Sequence, residues 1–263
     1  MNNYKDMYIM KPTASSCGRG ISVIDKKQQV KKRSGYLVSK YLSKPHLLRG
    51  YKYDMRIYIL VTSFEPLKAY FFQKGLVRLA TVPYSTAKGT LKKRFIHLTN
   101  FSVNKKNADY KKNVGSGQAA QDTDEVEMSS KWSLDELRKE YVKMGIDYEE
   151  VFRKIKLLCV KTLMAVEPQI TTAMRATKYR QQCFEVYGFD VLVDHNLRPW
   201  LLEVNVCPSL SSSSPYDKQV KTLLLCDTLH LVGFRIFDRK KVEDEKKKEN
   251  KHRLLGFESK KLT

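Results

Sequence analysis

Two acids and an amide near the end of the chain stand on what otherwise reads as an apolar strand. The stretches GFDVLVD (188–194) and RPWLLEVN (198–205) are separated only by His195, Asn196 and Leu197, so a tight hairpin is the economical connection. With the hairpin centred between Asn196 and Leu197, Asp194 faces Pro199, Val191 faces Leu202 and Asp190 faces Glu203. Two carboxylates directly across a ladder lie ~5 Å apart and repel, so a positive group is expected between them. Asn205, two residues beyond Glu203, points to the same face. Two carboxylates and an amide oxygen are hard ligands suited to Mg²⁺ held chiefly by substrate phosphates. The plainer alternative makes Asp190 a turn residue and Glu203 a solvent-facing one; a one-residue slip would put the acids on opposite faces.

A metal held in this way implies a nucleotide, and KPTASSCGRGI (11–21) offers a phosphate cradle. Lys11 supplies a point charge, and Gly18 and Gly20 let backbone N–H groups approach an anion. The segment lacks both GxxxxGK[ST] and GxGxxG, and an ordinary hairpin accounts for it equally well. In YDMR, Asp54 and Arg56 share a strand face, leaving Arg56 for an oxyanion. Arg78 interrupts the apolar GLVRLATV, where a long charged side chain needs an anionic ligand or an internal salt bridge. HLTNFSVNK (97–105) is rich in side-chain donors and acceptors, as a capped turn also is.

The elements that must position these residues follow from the pattern. Residues 7–24 read as strand, glycine loop, strand, and 36–42 as a further strand. Alternation over 55–63 and 67–82 predicts an antiparallel meander, with turn signals at Glu65–Pro66 and Lys74–Gly75. A polar loop is expected from 104 to 130. Ser133 and Glu136 match a capping box before a helix, and a longer helix is expected over 149–174. Strands return over 183–194, and a helix follows Tyr216 to Val232. From Arg235 onward, 11 Lys/Arg oppose 6 Asp/Glu, which reads as an exposed basic helix or a disordered tail.

The chain has 263 residues, 42% hydrophobic, enough to bury a core. Its net charge of +21 calls for an anionic partner: nucleic acid, an anionic membrane surface or an acidic protein. A mere binder of anions gains nothing from Asp190 and Glu203, which argues against a nucleic-acid protein. Five scattered cysteines without CxxC spacing fit free thiols in a reducing compartment. No run approaches the ~18 apolar residues of a membrane span. A soluble intracellular monomer is the expectation.

Taken together, IMKPTASSCGRGI, YKYDMRIYILVTSFEPLKAYFFQKGLVRLATVPY, HLTNFSVNKKN and CFEVYGFDVLVDHNLRPWLLEVNVCPSL closely resemble the tubulin tyrosine ligase-like family, in particular its polyglutamylase branch. The resemblance runs in order over roughly 7–234. It implies an α+β ATP-grasp fold with ATP held between two pieces: 1–105 with the phosphate loop and antiparallel strands, and 131–234 with the metal-binding hairpin. A mobile polar loop over 106–130 joins them, and a basic tail over 235–263 follows. The implied reaction phosphorylates a glutamate side chain on an acidic tubulin tail and lets the amino group of free L-glutamate displace the phosphate, forming an isopeptide bond. By resemblance, Lys11, Arg19 and Gly20 contact phosphates, and Ser39, Lys40, Tyr41 and Leu42 form the adenine hinge. Lys52, Asp54, Thr99 and Asn100 hold the nucleotide; Asp190, Glu203 and Asn205 bind Mg²⁺. Arg56 stabilises the acyl phosphate, Arg78, Ser102 and Lys131 bind the incoming glutamate, and Arg19 and Val206 contact the protein substrate. The implied location is the cytoplasm and its cytoskeleton, including cilium, basal body or axoneme.

Some positions depart from the family pattern. Phe101 stands where tyrosine is usual, and Cys17 where chain-starting members carry arginine and chain-extending ones glutamine. Val206 resembles the aliphatic residue of initiators and points to chain initiation. Family members carry an amino-terminal domain and the first part of the ATP-grasp domain before IMKP; here ten residues precede Lys11, so a chain lacking that portion is expected. The competing readings are an inactive microtubule-binding remnant and a related ligase adding another amino acid.

Overall fold

A computed structural model of the chain describes residues 7–14, 18–25, 30, 35–110, 129–177, 183–234 and 237–255. Most of the expected polar loop over 106–130, and Cys17, lie outside the described residues. Strands β1 (Tyr8–Pro12), β2 (Ser22–Ile24) and β3 (Tyr36–Lys40) form an antiparallel sheet in the order β2-β1-β3. Next come β4 (Leu47–Leu48), β5 (Tyr51–Phe64) and β6 (Leu67–Leu79), then short helices α1 (Arg94–His97) and α2 (Phe101–Asn104). After these follow β7 (Lys131–Ser133), α3 (Leu134–Lys143), α4 (Tyr148–Arg175), β8 (Glu185–Val193), β9 (Pro199–Val206), α5 (Pro215–Val232) and α6 (Arg239–Leu254). The larger sheet runs β7-β6-β5-β8-β9, all antiparallel, with β4 also paired to β5. The chain divides into two compact units, 1–226 and 227–263.

The period-2 rule sorts β5 cleanly. Tyr53, Met55, Ile57 and Ile59 enter the main core, joined there by Val77, Leu79, Phe189 and Val191. Helices α3 and α4 cover that face with Leu137, Tyr141, Val151, Ile155, Cys159 and Leu163, whose spacing along α4 follows the helical period. The alternate β5 residues, Asp54, Arg56 and Tyr58, point to the opposite face. Part of that face is closed by Val220 and Leu224 of α5 against Tyr58 and Leu76. The sheet thus has an apolar side and a side that is apolar at one end and charged at the other.

The capping box is present as read: Glu136 N–H donates to Ser133 Oγ at 3.0 Å, and Ser133 N–H donates to Glu136 Oε2 at 2.5 Å. Replacing Ser133 with alanine is expected to cost ~1 kcal/mol in denaturant unfolding, the usual loss of an N-cap acceptor. The turn expected at Lys74–Gly75 is not there. Strand β6 runs straight through it, and the register between β5 and β6 shifts between Ile57 and Ile59 instead. Gly75 marks close approach rather than a turn: a Cβ there would lie 2.7 Å from the Arg56 carbonyl oxygen. Tyr216 Oη donates to the Gly75 carbonyl at 3.0 Å, tying α5 to the irregularity.

The hairpin also departs from its expected centre. Asp194 N–H donates to Arg198 O, and Leu197 takes a left-handed φ of 59°, so three residues form the loop and Asn196 is its centre. Val191 therefore faces Leu201 rather than Leu202, and Val193 rather than Asp194 faces Pro199. A bulge between Asp190 and Val191 then restores the expected pairing of Asp190 with Glu203. In the second unit, α6 is capped by Asp238 and none of its residues is buried.

Candidate active site

Three strand pairings lay one band of charge across the sheet. Lys131 on β7 faces Arg78 on β6, which faces Asp54 on β5; two residues along, Arg56 faces Asp190 on β8, which faces Glu203 on β9. Side chains at opposed positions and at i, i+2 share a face, so register alone gathers all six. Asp54 accepts from Arg78 through both oxygens, at 2.6 and 2.7 Å, and Thr99 Oγ1 donates to its Oδ2 at 2.7 Å. Asp190 is held by Arg56, whose Nη2 donates at 3.0 Å while Nε closes a second bond, and by Arg78 Nη2 at 2.8 Å. These bonds use Nε and Nη2 of each guanidinium and do not involve Nη1. Gly188 makes room for this arrangement, since a Cβ there would come within 3.1 Å of Arg56 Cδ.

The two acids of the hairpin have opposite environments. Burial pushes Asp190 up, but Arg78 and Arg56 outweigh it and bring its pKa to about 2. Glu203 is more open to solvent, yet burial and then the Asp190 carboxylate hold its pKa above the ordinary value. The positive charge expected between the acids is thus a pair of guanidiniums bonded to Asp190, and for Glu203 the opposing pull of Asn205 and Arg56 does not outweigh burial and Asp190. Asn205 sits beside Glu203, its Nδ2 donating to the Gly188 carbonyl at 3.2 Å and to Glu203 Oε1 at 3.4 Å. Asp190, Glu203 and Asn205 thus stand together on one end of the hairpin, two carboxylates and an amide. Among the described residues, no three His, Cys, Asp or Glu side chains are grouped so as to hold a metal ion.

Some of the residues that the resemblance assigns to the nucleotide meet one another's segments. Lys52 is buried and donates to Tyr41 Oη at 3.0 Å and to the His97 carbonyl at 2.9 Å. Burial lowers its pKa to about 8; Asp54 opposes that shift and Lys11 adds to it. Tyr41 is buried and bonds His97 Nδ1 at 3.0 Å. Its chain neighbours Ser39 and Lys40 end β3, while Leu42 is half-buried. Gly18 and Gly20 have φ of 71° and 73°, where L side chains strain. A Cβ on Gly18 would lie 2.9 Å from Asn100 Oδ1, so the glycine loop and the HLTN segment meet, and Arg94 donates to the Gly18 carbonyl. Arg19 and Ser102 line one cavity beside this contact. Val206 is 63% exposed at the end of β9.

Lys131 is more enclosed than its sequence context implied. Its ammonium donates to Ser213 Oγ at 2.6 Å and lies 3.2 Å from Asp217 Oδ2, above the Phe101 ring at 4.4 Å. Asp217 also accepts from Ser213 N–H and pairs with Lys221 at 3.0 Å. Burial lowers the Lys131 pKa, and Asp217 opposes the shift. Sequence reasoning missed Asp217 and Lys221: on α5 they read as a first-turn acid and its i+4 partner, and nothing local announces a lysine 86 positions away.

Residues 1–242 match the Tubulin-tyrosine ligase family. The chain is 44% identical over 232 residues to the Tubulin monoglutamylase TTLL4 of Homo sapiens, covering 88% of this chain and 19% of that protein. It is 39% identical over 228 residues to the Tubulin polyglutamylase TTLL5 of Mus musculus (86% of this chain, 17% of the relative). To the Tubulin polyglutamylase TTLL7 of Xenopus tropicalis it is 36% identical over 256 residues (95% and 27%). It therefore spans less than a third of the length of each of these curated relatives. With a match that runs through both sheets and the charged band, the chain belongs to the tubulin-tyrosine ligase family.

Proposed function

We propose that this chain carries the ATP-grasp catalytic machinery of a tubulin glutamylase. ATP gives its γ-phosphoryl group to a glutamate side-chain carboxylate on an acidic tubulin tail, releasing ADP. The amino nitrogen of free L-glutamate then bonds to the acyl carbon, the carbon–oxygen bond to phosphate breaks, and phosphate leaves with the electron pair while nitrogen yields its proton to solvent. The observation that carries this reading is the unbroken chain of bonds Thr99–Asp54–Arg78–Asp190–Arg56, which ties the nucleotide segment to the acid hairpin. Residues 1–105 and 131–234 act as the two parts of the clamp, with 106–130 between them and 235–263 as a basic tail. The site serves the cytoskeleton of the cytoplasm and cilium.

The roles follow from chemistry and position. Lys11, Arg19 and the backbone around Gly20 face phosphate oxygens, while Tyr41 and its hinge neighbours, with Lys52, Asp54, Thr99 and Asn100, enclose the nucleoside side. Asp190, Glu203 and Asn205 hold Mg²⁺, which, when bound, offsets the negative charge of the phosphate oxygens. Arg56, fixed by Asp190, keeps Nη1 for charge that develops on the acyl phosphate. Arg78 and Lys131, opposed on β6 and β7, offer two cations to the two carboxylates of the incoming glutamate, with Ser102 nearby. Val206, aliphatic at the end of the metal-bearing strand, fits an enzyme that starts chains on an unmodified tail.

Asp217 holds Lys131 in place and in its charged form. Replacing Asp217 with asparagine removes that opposition to burial, so KM for glutamate is expected to rise roughly tenfold with a smaller change in kcat. Equal loss in both would place Asp217 in the fold rather than in substrate binding. The reading as a whole is tested by incubating the chain with microtubules, Mg²⁺–ATP and labelled glutamate. Transfer of label to tubulin is expected; its absence, with ATP bound and the protein folded, overturns the assignment.

A further inference from the structure

Beside the glycine loop lies a cavity of about 600 Å³ whose wall, among the described residues, contains six cations, Arg19, Lys92, Lys93, Arg94, Lys105 and Lys106, and no acid. Lys92 and Lys93 precede α1, and Lys105 and Lys106 follow α2, so the two short helices turn both basic pairs toward one opening. The cations are not equivalent. Arg94 braces the loop through the Gly18 carbonyl, and Lys105 lies over the Phe101 ring at 5.5 Å. Lys92, Lys93 and Lys106 are exposed. Between them the wall is apolar, with Val82 and Phe95 half-buried.

Like charges gathered around a concavity raise its potential above that of the same charges spread over a surface, because the low-dielectric wall focuses the field. Such a concavity selects an anion, and the apolar wall decides which kind. A glutamate side chain presents two methylenes and then a carboxylate, matching apolar wall and cationic rim in that order. A nucleic-acid strand presents phosphates along an extended backbone and needs an open groove with stacking surfaces. We propose that this cavity is a subsite for an acidic peptide and takes the carboxylates of residues flanking the glutamate to be modified. The inference rests on the glutamylase reading for the identity of the peptide. It adds that Lys92, Lys93 and Lys106, remote from the acid hairpin in sequence, determine which acceptor sequences are used.

The test is a binding experiment without ATP or glutamate, so that it does not depend on turnover. Anisotropy of a fluorescein-labelled, glutamate-rich peptide copied from a tubulin tail is measured against wild type, against K92E/K93E/K106E and against K246E/K247E/K248E on α6. Both triple variants change the net charge equally. The cavity variant is expected to bind the peptide at least about tenfold more weakly, with ATP affinity unchanged and the α6 variant much less affected. Equal weakening in both variants would show that bulk charge, not the cavity, holds the peptide. Unchanged affinity in the cavity variant overturns the proposal, and so does a single-stranded RNA that binds wild type more tightly than the peptide and is lost in the same variant. Peptide binding that needs the cavity in a chain that transfers no glutamate would leave the subsite standing and remove the enzymatic reading alone.

Discussion

Replacing Arg78 with methionine is expected to destabilise the fold by ~3–5 kcal/mol at neutral pH, the largest stability loss foreseen for a single side chain. Arg78 is buried between two carboxylates, Asp54 and Asp190, and bonds both. Methionine fills much the same volume, so the loss comes from charge: Asp54 loses its bidentate partner, and Asp190 keeps only Arg56. The effect has a pH signature. In the wild type, the Asp190 pKa stands near 2, below that of an unfolded aspartate, so its stabilising contribution is present above ~pH 4 and is lost as pH falls toward 2. In the variant that contribution shrinks at every pH, so the gap between the two proteins should be widest near neutrality and close on acidification. Urea denaturation at several pH values measures it. A constant gap would mean that packing, not charge, is what Arg78 provides.

Glu203→Gln is expected to do the opposite: leave the fold intact and remove activity. Ligation should fall at least about a hundredfold, because a metal ligand is replaced by a neutral amide where phosphate charge must be offset. Stability should not fall. Burial and Asp190 raise the Glu203 pKa, so in the absence of metal the ionised side chain costs stability once pH rises through that value. Glutamine removes the repulsion at nearly constant shape, and the melting temperature without metal should equal or exceed that of wild type. Titration of Mg²⁺ into protein and ATP reads out the other half: the wild type should show a metal-dependent gain in ATP affinity that weakens as pH drops toward the raised Glu203 pKa, and the variant little gain. Undiminished ligation by Glu203→Gln would sink the metal assignment.

The elements were largely legible because each is written in short-range pattern: alternation in β5 and β6, a capping box before α3, an apolar stripe on α4. The opposition of Asp190 and Glu203 was read from a hairpin centred between Asn196 and Leu197, and it holds because the bulge at Leu202 offsets the true centre at Asn196. The occupants around them were not. Arg78 raised the question of an anionic partner, but Asp54 and Asp190 answer it only once three strands are in register. Asp217 reaches Lys131 across tertiary space, beyond any periodicity. Lys74–Gly75 misled because glycine serves close backbone approach as readily as turns, and the contact with Arg56 that explains it is 19 positions away. The remaining roles came from family resemblance, which carries residue identity to a position without supplying the bonds that make the residue useful.

The bulge in the acid hairpin acts like a compensating frame shift. Near the loop, the residue numbers of partners are set by Asn196 as centre, and continuing that count would place Leu202 opposite Asp190 and turn Glu203 toward the apolar core. One surplus residue, Leu202, resets the count before the acids pair. Deleting Leu202 should therefore be nearly silent, since Glu203 slides into a regular ladder still facing Asp190. Deleting Val204, one turn of the pleat later, would carry Asn205 to the wrong side. Tolerance to a change in length here follows parity, not distance from the catalytic groups, and single deletions on either side of Glu203 should have opposite fates.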